Sequence, residues 1–86
     1  MPELSRFYGI VIKMYFDDHS PPHFHAEYGE YDVLVNINTL AVMAGRFPGR
    51  ALGLVIEWAL LHRAELDREW TKAKNMQSLS KIPPLK

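Results

Sequence analysis

The chain is 86 residues long, with 48% hydrophobic, 12% aromatic and 23% charged residues and no cysteine. Such a chain is one folded domain with a thin core, and disulfides, thiolate metal sites and cysteine nucleophiles are excluded. The net charge is zero, yet residues 1–45 hold two basic against six acidic residues and residues 46–86 hold eight against four, balances of −4 and +4. After Glu69 come four lysines (Lys72, Lys74, Lys81 and Lys86) and no acid. That end reads as solvated and basic, with phosphate contact through Lys72 and Lys74 as the sharper alternative. No apolar run approaches the roughly 20 residues of a membrane span, and the start has no basic stretch followed by an apolar core. The expectation is a cytoplasmic protein.

In chain order, residues 1–6 form an N-terminal segment and the aromatic and β-branched run Phe7–Phe16 predicts a first strand. Ile10, Ile12, Met14 and Phe16 lie on one face, with Val11, Lys13 and Tyr15 on the other. Asp17 to Pro22 must be a loop, because consecutive prolines cannot donate to a ladder. A second strand, His23–Tyr28, and a third, Tyr31–Ile37, flank Gly29-Glu30, a two-residue hairpin turn of the type that wants glycine first. Leu40–Ala44 predicts a short fourth strand, ended by Gly45. Residues 49–75 recur apolar at helical spacing through Leu52, Val55, Ile56, Ala59, Leu66 and Trp70. They predict one long helix, or two joined near His62–Ala64. Residues 76–86, with Pro83-Pro84, predict an extended tail. The fold class is therefore α+β: an antiparallel sheet of about four strands over residues 7–45, packed on one face by the helical half.

The hairpin register has chemical consequences. With Gly29-Glu30 as the turn, Tyr28 pairs with Tyr31, Ala26 with Val33 and Phe24 with Val35, all facing the helices. Alternation then places His23, His25 and Glu27 on the opposite face, across from Asn36, Leu34 and Asp32. Glu27 opposite Asp32 is a like-charge pair that needs a cation, a lysine or a proton between them. Three of the four histidines, His19, His23 and His25, fall within seven residues.

Three readings of that cluster stay open. One is acid–base chemistry, with His23 and His25 as the pair, Glu27 or Asp32 as orienter, and Arg6 or Lys13 steadying phosphate. A second is a divalent metal held by His23, His25 and one of His19, Glu27 or Asp32. A third is structural, with exposed imidazoles beside a rigid diproline loop. His62, Trp58 and Trp70 read as packing residues, and Glu57 as one partner of an ion pair with Arg6, Arg46 or Arg50.

Ser5-Arg6-Phe7-Tyr8-Gly9-Ile10, His19-Ser20-Pro21-Pro22-His23-Phe24-His25-Ala26, Tyr28-Gly29-Glu30-Tyr31, Glu57-Trp58 and His62-Arg63 together resemble a small prokaryotic family, the domain of unknown function 4160. The resemblance covers essentially the whole chain. It implies a partner in a two-gene toxin–antitoxin-type operon, similar to a toxin-side component, with a small antitoxin-like protein as its cognate. The motif residues that carry over are Arg6, His19, His23, His25, Tyr28 and Glu30. By analogy with small α+β toxins, the activity implied is a ribonuclease that needs no metal.

The leading expectation is thus a toxin–antitoxin-type component acting on RNA, with His23, His25, Glu27 and Arg6 in catalysis. Lys13, Tyr28, Asp32, Asn36, Lys72 and Lys74 would bind. The alternatives are a non-enzymatic module that binds a partner or DNA, and a metal site with His19, His23 and His25 as candidate ligands. A homodimer fits the open sheet face, and no membrane partner is expected.

Overall fold

Two tight hairpins start the fold. The computed structural model describes residues 3–16 and 18–86, and there Tyr8 and Gly9 both adopt positive φ, 51° and 81°. That pair of values is what a two-residue turn needs to match the right-handed twist of its strands. The turn splits the expected first strand into β1 (Glu3–Phe7) and β2 (Ile10–Lys13), with Phe7 paired to Ile10. The expected N-terminal segment is therefore partly strand, and Met14, Tyr15 and Phe16 lie beyond β2 in the loop. Asp17 of that loop lies outside the described residues.

Next come β3 (His23–Tyr28) and β4 (Tyr31–Asn36), joined at Gly29-Glu30 with Gly29 at φ 59°. Their six pairs run from His23–Asn36 to Tyr28–Tyr31, the register that the glycine-first turn dictates. β5 is Val42–Arg46, shifted from the expected Leu40–Ala44. Leu40 sits at φ 60° in the preceding turn, where Asn36 Oδ1 accepts from the backbone N–H groups of Asn38 and Thr39. Gly45 lies inside β5 rather than ending it. At φ 88° its Cα faces Asp32 so closely that a Cβ would come within 2.3 Å of the Asp32 carbonyl oxygen. The result is a five-stranded antiparallel meander in the order β1-β2-β3-β4-β5.

The helical half is two helices, α1 (Gly49–Leu61) and α2 (Arg63–Lys74). They break at His62 (φ −123°, ψ 26°), where the imidazole Nδ1 meets the Glu65 carboxylate in the first turn of α2. Neither proline nor glycine stands at the break. No helix among the described residues is long and apolar enough to cross a membrane.

α1 supplies Val55, Trp58 and Ala59 to a core shared with Leu4, Phe7, Ile10, Ile12, Phe24, Ala26, Val33 and Val35. Trp58 is wholly buried, with its ring 5.6 Å from Phe7 and 5.9 Å from Phe24. Cutting back such a side chain to alanine costs about 3–5 kcal/mol. Tyr28 and Tyr31, expected against the helices, are each 37% exposed at the hairpin tip, although Tyr28 lines a cleft with Ala51 and Leu54 of α1. β5 is exposed at every position.

The tail is extended but not loose. Ile82 is buried and its N–H donates to the Leu4 carbonyl on β1 at 2.7 Å, while the Trp58 indole N–H donates to Pro83 O at 2.9 Å. Glu69, itself buried, accepts the Ser80 N–H at 2.7 Å and pairs with Lys72 at 3.1 Å.

Candidate functional site

The face turned away from the core carries cross-strand rows fixed by the pairing. One row reads Arg6, Val11, Glu27, Asp32, Arg46 from β1 to β5, and the next reads Glu3, Lys13, His25, Leu34, Ala44. Glu27 does stand opposite Asp32, and the cation between rows is Lys13, whose Nζ lies 3.0 Å from Glu27 Oε1. That hydrogen bond holds the Lys13 ammonium above its ordinary range, aided by the Glu27 charge and opposed by partial desolvation. Arg6 is committed to Glu3 at 2.8 Å. The Arg6 guanidinium correspondingly holds the Glu3 carboxyl below the usual range.

The histidines gather around a residue the sequence pattern did not single out. Asp18, in the loop leading into β3, places Oδ2 2.9 Å from His25 Nε2 and 3.2 Å from His23 Nε2. One carboxylate oxygen thus meets both imidazoles. The His23 and His25 ring centres lie 5.3 Å apart, which alternate positions on one face of a strand produce directly. Tyr15 stands edge-on to His25 at 4.4 Å, and Trp70 of α2 lies 5.3 Å from His23.

Burial separates the two. His23 is 5% exposed, so it is not the open-face residue that alternation alone predicts. The side chains of His25 and Asp18 are 21% and 23% exposed, so the centre opens to solvent on their side. The His23 ring is also keyed in place: Nδ1 lies 2.8 Å from the Pro21 carbonyl. A carbonyl only accepts, so Nδ1 carries the hydrogen and Nε2 is turned toward Asp18.

The remaining expected site residues separate from this centre to differing degrees. Lys13 is the direct neighbour of His25 in the β2–β3 register. Glu27 and Asp32 lie one row away and do not touch the imidazoles as orienters; Asp18 takes that place. Asn36 pairs with His23 in the ladder, but its side chain serves the following turn. Tyr28 is at the hairpin tip against Phe47, with ring centres 6.1 Å apart. Glu30 and Asp32 line a separate cleft of about 310 Å³ with Tyr31, Gly45 and Arg46. His19 is exposed and outside the cluster. Lys72 is held by Glu69 and Ser80, and Lys74 is exposed at the end of α2. Glu57 enters no ion pair among the described residues, contrary to the expected arginine partner; Arg6, one of the three candidates, is paired with Glu3.

Asp18 was within reach of sequence reasoning only as one of two adjacent loop acids. Nothing in its spacing says that the loop folds back by seven positions onto His25.

No curated protein and no solved structure matches the chain. A family model does match, over residues 9–71, which take in β2 to β5, α1 and most of α2 together with the whole centre. On that match the chain belongs to the family described as Domain of unknown function (DUF4160).

Proposed function

We propose that this protein is a toxin–antitoxin-type component that acts on RNA at the Asp18–His23–His25 centre. The observation that carries the reading is the single Asp18 oxygen within 3.2 Å of both Nε2 atoms, in a centre open on one side. Proton-handling side chains held in fixed geometry at a partly open position are what phosphodiester cleavage requires. In that chemistry the ribose 2′-hydroxyl attacks the adjacent phosphorus, a cyclic phosphate forms, and the 5′-oxygen leaves. One proton is taken from the 2′-hydroxyl and one is returned to the leaving oxygen, both at this centre.

Roles follow burial. His25 and Asp18 face the side a nucleotide can approach, whereas His23 is too enclosed to touch one and acts as a positioning residue. Lys13, beside His25, supplies the nearest positive charge for phosphate, shared with Glu27. Arg6 takes no part in this scheme, since it is engaged with Glu3.

The test is expression of the wild type and of His25→Ala at matched soluble levels, followed by inspection of host RNA. Growth arrest with cleaved RNA by the wild type, and neither by His25→Ala, is the expected result. Intact RNA across pH 5–8 with purified protein would sink the reading.

A second reading, a non-enzymatic module that binds a partner, is favoured by β5, where Val42 and Met43 stand 44% and 41% exposed on an edge strand. If it holds, His23→Gln with His25→Ala leaves partner binding unchanged.

A further inference from the structure

We infer that the Asp18–His23–His25 centre binds one divalent transition-metal ion, of the zinc, manganese or iron kind, through His23 Nε2, His25 Nε2 and Asp18 Oδ2. Among the described residues these form a group whose ligand atoms all lie within 4.8 Å of one another. Metal–ligand bonds of roughly 2.0–2.2 Å set neighbouring ligand atoms about 2.8–3.6 Å apart around the ion, between octahedral and tetrahedral angles. The observed edges, 2.9 and 3.2 Å, have that size.

Hydrogen-bond accounting points the same way. With its hydrogen on Nδ1, a neutral His23 turns the lone pair of Nε2 toward a carboxylate oxygen 3.2 Å away. Two lone pairs face each other unless something positive sits between them. His25 Nε2 converges on the same oxygen rather than on its twin, so the two contacts share an apex. Two independent hydrogen bonds would be better served by the two oxygens separately. A cation at the common apex satisfies all three atoms at once.

The surroundings have the form such sites take. A ligating imidazole almost always gives its other N–H to a carbonyl or carboxylate, which fixes tautomer and ring angle. Pro21 O does this for His23. Trp70 and Tyr15 wall the imidazoles, while the partial exposure of His25 and Asp18 leaves a side open for water or substrate. Two imidazoles and one carboxylate with open positions suit zinc, iron or manganese.

The use of the ion in catalysis rests on the proposed function; its binding does not. When bound, the ion would lower the pKa of a coordinated water and polarise a phosphoryl oxygen. His23, His25 and Asp18 would then be ligands, and His25 would no longer itself carry the proton.

The experiment uses untagged full-length protein, stripped with chelator and titrated with Co²⁺ and then Zn²⁺. The expected result is one equivalent bound, with a visible ligand-field band that Zn²⁺ abolishes. Loss of an outer-shell partner typically costs about 10–100-fold in affinity, so losing a ligand should cost more than about 100-fold. Asp18→Ala and His25→Ala are the variants for that loss, with His23→Gln as the gentler change at the buried position. His19→Ala and His62→Ala should bind as the wild type does. No saturable binding, or binding lost in His19→Ala or His62→Ala but kept in Asp18→Ala, would overturn the inference. Full RNA cleavage in excess chelator would overturn the catalytic use of the ion and leave the proposed function standing. A bound ion without RNA cleavage would support the metal site and count against the RNA reading alone.

Discussion

Asp18 and His25 are seven positions apart in the chain and 2.9 Å apart in space, and His23 meets the same carboxylate oxygen at 3.2 Å. A loop carboxylate and a strand are thus brought to one point. The strand supplies the spacing of the imidazoles, and the loop supplies the group that makes them a set.

Asp18→Asn separates the two ways of satisfying that point. The amide can donate to an imidazole lone pair, so metal-free Asp18→Asn should unfold at or above the temperature of the metal-free wild type. A fall of more than about 4 °C, equivalent to about 1 kcal/mol in a domain this size, would mean that an imidazolium–carboxylate pair holds the empty centre instead. Calorimetry on chelator-treated protein decides it.

Gly45→Ala should destabilise the fold far more than Gly29→Ala. Both residues have positive φ, but a Cβ at Gly45 meets the Asp32 carbonyl oxygen at 2.3 Å, whereas Gly29 has open space. The strain at Gly29 alone is about 1 kcal/mol. At Gly45 the backbone of β4 must also shift, and a loss above about 3 kcal/mol is expected from urea unfolding. Equal losses would mean that the β4–β5 ladder yields easily.

Removal of residues 79–86 should cost about 3 kcal/mol or more. Ile82 is buried, and the segment provides hydrogen-bond partners for Leu4 O, the Trp58 indole and Glu69. Burying an isoleucine contributes about 1.5–3 kcal/mol, and each hydrogen bond about 0.5–1.5 kcal/mol net. Trp58→Phe, which removes the indole N–H and shrinks a wholly buried ring, should lose the Pro83 hydrogen bond and some core packing with it. A truncated chain as stable as the full one would show that the tail merely rests on the body.

Glu3 gives a pH signature. Its carboxyl is held below the usual range first by the hydrogen bond from Arg6, with Lys81 adding attraction. A depressed folded-state value stabilises the fold above the unfolded value, about 4.3, and that contribution disappears as the pH falls through the folded one. An NMR titration should give a Glu3 midpoint below about 4.3, and Arg6→Gln should raise it. An unchanged midpoint in Arg6→Gln would remove Arg6 as the cause.

The sequence was most readable where turn chemistry and alternation acted together. Gly29 set the β3–β4 register, and that register put His23, His25 and Glu27 on one face and Glu27 opposite Asp32. It failed where a local cue was masked by a longer pattern. Tyr8-Gly9 sits inside an unbroken apolar run, so a hairpin read as one strand. The burial of His23 depends on Trp70, forty-seven positions later in the chain, and periodicity carries no such information. The same holds for Asp18, whose role comes from the path of a loop. The helix break at His62 was legible as one of two alternatives, although neither proline nor glycine marks it.

The two margins of the sheet differ in kind. Along β1 the tail already occupies the Leu4 carbonyl, whereas β5 has no strand on its outer side among the described residues, and a bulge at Met43 interrupts its pairing with β4. An added strand would therefore meet the tail at β1 and an uncovered edge at β5. Two copies joined β5 to β5 would bury that margin in both partners at once, so such a pairing would close at two.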